Sequence, residues 1–167
     1  MHRLAFIAAL AATAVSPLSA EDEAPDPVVE AIAANTLAIE RAADGSLSGP
    51  GWDRLLEESD KAQFFLVGEN HATADIAKVE TRLHAALAKR NYDYMAIEVG
   101  PWSTRQAERI IRQGDGALEA FIATPGNEFT LPFLFFREEI ALVEQGVALS
   151  PSPDHALWGV DQEFLGA

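Results

Sequence analysis

The chain has 167 residues, with 26 acidic and 12 basic side chains, a net charge of −14 and no cysteine. Its length and an apolar share of 49% point to one folded domain rather than an acidic disordered tail. The charge argues against nucleic-acid partners and anionic membrane surfaces, which both need a basic face. The missing cysteines exclude disulfides, thiolate zinc sites and Cys nucleophiles.

Met1-His2-Arg3 gives a short positive start, and Leu4 to Val15 is a run of apolar and small residues. Ser16-Pro17-Leu18-Ser19-Ala20 then breaks the run before the acidic Glu21-Asp22-Glu23. This layout predicts a secretory signal peptide over 1–20, cleaved after Ala20. The run falls short of the ~20 residues that span a bilayer. A secreted or periplasmic protein is therefore expected, with no membrane contact after cleavage. Residues 21–27 read as a flexible leader.

A single α/β domain is expected over 28–167. Asp26-Pro27 supplies a cap and a first-turn proline for a helix from about Val28 to Ala43. A Gly/Ser/Pro loop and a short helix from Trp52 to Glu58 follow. Gln63 to Gly68 is a continuous apolar run closed by glycine, which predicts a buried parallel strand. Ala74 to Arg90 carries the best helical stripe, with Ile76, Val79, Leu83 and Leu87 on one face and Asn91 as a C-cap. By the helical period His84 lies about 100 degrees from that stripe, on an exposed flank.

Tyr92 to Val99 predicts a second strand. Ser103 with Gln106 reads as a capping box for a helix ending at Gly114. Helices are expected over Ala117–Ala123 and Phe133–Gln145, and a third strand over Ala156–Val160. Phe129, Phe133, Phe135 and Phe136 suit a packed core or a greasy ligand wall. Strands alternating with helices imply a parallel sheet flanked by helices, whose chemistry sits beyond the carboxyl ends of the strands.

That rule selects three strand ends: Gly68-Glu69-Asn70-His71, Ile97-Glu98-Val99 and Val160-Asp161. Neighbouring strands lie ~5 Å apart, so Glu69, His71 and Glu98 are expected to share one crevice. A carboxylate beside histidine favours the imidazolium and fixes the tautomer, and a second carboxylate serves as acid or base. Such a group suits activation of water against an ester or amide of a small-molecule substrate. Glu69 has an alternative use as a helix cap, and Asp161 one as a turn former. His155, in a loop, is expected to be solvated.

Phe65-Leu66-Val67-Gly68-Glu69-Asn70-His71 resembles the Gly-Glu-x-x-His opening of erythromycin-esterase-like proteins, with one residue fewer between Glu and His. Met95-Ala96-Ile97-Glu98 is similar to their strand ending in a functional glutamate, and Leu157-Trp158-Gly159-Val160-Asp161 to their later strand ending in Gly-x-Asp. The resemblance implies a hydrolase in which His71 activates water, Glu69 and Glu98 support it and Asp161 contributes to binding. It implies no cofactor in the esterase branch and a divalent metal in the related Tiki branch, where Glu69, His71, Glu98 and Asp161 would supply oxygen and nitrogen ligands for zinc or manganese. The ChaN-like branch implies haem or another flat hydrophobic ligand; Tyr92 and Tyr94 are the candidate oxygen ligands, though they lie at the start of the second strand, away from the expected crevice. Family members are longer and bring a further histidine, so an incomplete copy of a larger domain is expected, inactive by itself. The sequence leaves substrate and oligomeric state open.

Overall fold

The computed structural model describes residues 26–68, 70–71, 73–128 and 130–163. The signal peptide, most of the leader, Glu69 and Phe129 lie outside the described residues. The chain divides into two compact units, residues 1–36 and 37–167. Within the first, helix α1 spans Pro27–Asn35. Asp26 caps it as expected, its carboxylate accepting from the Val28 N–H at 2.8 Å. The helix stops well before Ala43. Asn35 and Thr36 turn their side chains back onto the Ala31 and Ile32 carbonyls, offering the backbone a way out of the helix.

The second unit is a mixture of helices and two short sheets. Strands β1 (Glu40–Arg41) and β2 (Leu47–Ser48) form an antiparallel hairpin, with Gly45 at a φ of 81° in its turn. Helix α2 (Pro50–Ser59) follows, then α3 (Ala74–Ala88), β3 (Met95–Ile97), α4 (Pro101–Ile111), α5 (Ala117–Ile122), α6 (Arg137–Leu149) and β4 (Leu157–Gly159). Asn91 takes the left-handed conformation just beyond α3, as its reading as a cap requires.

β3 and β4 pair in parallel, Met95 opposite Leu157 and Ile97 opposite Gly159. The parallel α/β expectation holds in this coarse form, as one two-stranded parallel sheet with helices beside it. The core lies between that sheet and α4, α5 and α6, built from Ala107, Leu118, Leu134, Ile140, Val143 and Leu157. α3 packs along α6, and the Gln145 side-chain amide donates to the Thr81 carbonyl at 2.6 Å across that contact. Gly159 lets α4 close on β4: a Cβ there would come within 2.5 Å of the Val99 carbonyl oxygen and of Thr104 Oγ1.

Three expectations are corrected. Gln63 to Gly68 is not a strand. It joins no sheet among the described residues, and Phe64 and Leu66 are 75% and 88% exposed. Its flank is nevertheless tied down, because Tyr92 Oη lies 2.7 Å from the Ala62 carbonyl and 2.8 Å from that of Ser59. Helix α4 starts at Pro101, so Ser103 is inside it rather than at its cap. Two of the clustered phenylalanines, Phe135 and Phe136, are exposed rather than packed in a core, and Phe133 has a φ of 61°, with α6 starting only at Arg137.

Candidate active site

β3 delivers Glu98 at its carboxyl end, and the turn before α3 delivers His71. Nε2 of His71 lies 3.8 Å from Oε2 of Glu98, with the side chains 42% and 67% exposed. The spacing is an ion-pair distance, too long for a direct hydrogen bond. The other face of the imidazole is held by Phe133, whose ring stacks at 4.4 Å between centroids and 14° between planes. Phe133 holds this place with a backbone conformation that bulky side chains rarely adopt. Strain of that kind costs ~1–3 kcal/mol and persists where surrounding structure imposes it.

Asp161 ends β4 on the same rim. Its N–H reaches the Val99 carbonyl at 3.4 Å, continuing the register of the pair beside Glu98. Its carboxylate accepts from the Gln162 N–H at 2.7 Å, the turn-forming use open to it from sequence. Thus His71 and Glu98 are brought together, Asp161 shares their edge of the sheet, and Glu69 lies outside the described residues. Among the described residues no three His, Asp or Glu side chains are gathered as a metal site requires.

A further acid, Glu163, occupies this rim in a way that local sequence does not signal. Glu163 Oε1 accepts from the Trp102 N–H at 2.5 Å, and Oε2 from the Ser103 hydroxyl at 2.6 Å. The carboxylate, four residues beyond β4, therefore caps α4 from a distant part of the sequence. The Ser103 hydroxyl and the two amide donors hold its carboxyl below the ordinary value. Trp102, beside the rim, and Trp158, within β4, are about half exposed, and Trp158 meets the exposed Tyr94 edge-on at 6.1 Å towards the amino end of β3.

The remaining histidines separate. His155 is exposed, as expected. His84 is half-buried rather than on an exposed flank. Its Nδ1 is sealed from solvent without a partner among the described residues, and burial lowers its pKa. Tyr92 already serves the carbonyls after α2, at the opposite end of β3 from Glu98.

Compared with models of protein families, with curated proteins and with solved structures, the chain matches none. No helix among the described residues is long and apolar enough to cross a membrane.

Proposed function

We propose that the protein is an exported hydrolase of the erythromycin-esterase-like type, in which His71 activates water against an ester or related bond of a small molecule. The observation that carries this reading is the approach of His71 and Glu98 at the carboxyl rim of the parallel pair. Glu98 lies beside the imidazole and favours its protonated form. The imidazole takes a proton from water while the oxygen adds to the substrate carbonyl carbon. The carbonyl π-bond electrons move to its oxygen, giving a tetrahedral intermediate. On its collapse the C–O bond to the leaving group breaks, and the imidazolium returns the proton to that alkoxide. Glu98 stabilises the imidazolium between the two steps, and Phe133 holds the ring plane. Glu69 and Asp161 are the further acids proposed for the site.

The same reading places β3 and β4 in a wider sheet of a larger domain. Parallel sheets are ordinarily covered on both faces, whereas Trp158 in β4 and Val160 just after it are more than half exposed. The experiment is hydrolysis of a panel of activated esters by the exported gene product. His71→Ala should fall to background and Glu98→Gln should lose about 10- to 100-fold in kcat. Equal rates in wild type and His71→Ala would overturn the assignment.

A further inference from the structure

Helix α4 separates two concavities that the rim chemistry does not use. The larger, about 650 Å³, runs between α4 and α5. Its floor is apolar, formed by Ile110, Ala120, Phe121 and Leu131, and it is of a size that takes a small organic ligand. Ile110 and Phe121 also pack against the core, so the floor is backed by fixed structure. The smaller cleft, about 220 Å³, is lined by Arg105, Glu108, Arg109, Arg112, Asp154 and His155. Arg109 lines both.

The charges around Arg109 ask for an anion. Arg112 is committed to the buried Glu108. Arg105 and Arg109 stand one helical turn apart, where like charges repel, and neither meets a carboxylate at ion-pair distance among the described residues. Arg109 Nη1 donates instead to the neutral Gln106 Oε1 at 2.6 Å. Asp154, on the far wall, makes no ion pair with any of the three among the described residues. This occurs in a chain where acids outnumber bases 26 to 12.

We propose that α4 carries a binding site for a single-chain amphipathic carboxylate, its acyl tail in the α4–α5 groove and its head on the Arg109 guanidinium, with Arg105 as the second positive charge. The groove supplies the apolar burial, and the planar guanidinium supplies paired donors for a carboxylate. The site stands independently of any hydrolytic role of His71. The test is titration of the full chain with dansyl-aminoundecanoate, whose fluorescence rises in an apolar environment, followed by displacement with dodecanoate or dodecanol.

Saturable binding is expected, with dodecanoate displacing the probe at concentrations about tenfold lower than dodecanol. Arg109→Gln should weaken dodecanoate about tenfold, and Ala120→Phe, which fills the groove, should remove binding. Both positions are exposed, so circular dichroism melts should match wild type. Absence of saturable binding, equal displacement by the alcohol, or wild-type affinity in both variants would each overturn the proposal.

Discussion

Two glutamates at opposite ends of the parallel pair, Glu108 within α4 and Glu98 just after β3, sit in opposite surroundings. Glu108, at the amino end of β4, is almost fully buried and fully engaged. It accepts from Arg112 Nε at 3.0 Å and from the Ala156 and Leu157 N–H groups at 3.1 and 3.3 Å. Glu98, at the carboxyl end of β3, is 67% exposed and meets His71 across 3.8 Å. The first carboxylate replaces solvent for two buried amides and holds a strand in place. The second keeps its oxygens in solvent. One end of the sheet is tied by charge, and the other is left open.

The largest effect that would test this contrast is at Glu108. Glu108→Ala strands two buried amides and leaves Arg112 without its carboxylate, so unfolding free energy should fall by about 3 kcal/mol in urea titrations. Burial works against the charge of Glu108, but Arg112 and the two amides outweigh it and hold the carboxyl below its ordinary value. Its contribution is therefore complete above the ordinary glutamate range and is lost as pH falls through that range towards the lower folded-state value. Wild type and Glu108→Ala should converge in stability in acid; a difference that persists there would show that the carboxylate is not what ties β4.

A smaller effect is expected between the two ends. Tyr92→Phe removes the hydroxyl that holds the Ser59 and Ala62 carbonyls, costing about 1 kcal/mol and speeding amide exchange across 62–68 more than in α6. Uniform exchange would mean that Tyr92 does not restrain that segment. The smallest stability change should come from Glu98→Gln, within about 0.5 kcal/mol of wild type, because the carboxylate is solvated and stands 3.8 Å from His71. A loss comparable to that of Glu108→Ala would erase the distinction between the two acids.

Much of this was legible in the chain. The stripe of Ile76, Val79, Leu83 and Leu87 placed α3 because helical period is a local property. The apolar cores of β3 and β4, each followed by an acid, placed the rim. Gln63 to Gly68 misled because an apolar run records a preference for extension but not the neighbour whose backbone would complete a ladder. His84 misled because one stripe does not define how much of a helix its neighbours cover. The cap of α4 was hidden for a related reason: Ser103 and Gln106 match a local capping pattern, whereas the acid that performs the task arrives from beyond β4. The left-handed backbone of Phe133 has no signal in a residue type that rarely adopts it.

The position of Glu163 has a consequence for any reaction at this rim. The first turn of α4 points its amides at the open end of the sheet, the kind of place that receives a negatively charged oxygen. The chain's own carboxylate already sits in that receptor, doubly held through Trp102 and Ser103. A substrate must either evict this resident acid to use the helix, or find its oxyanion stabilisation elsewhere.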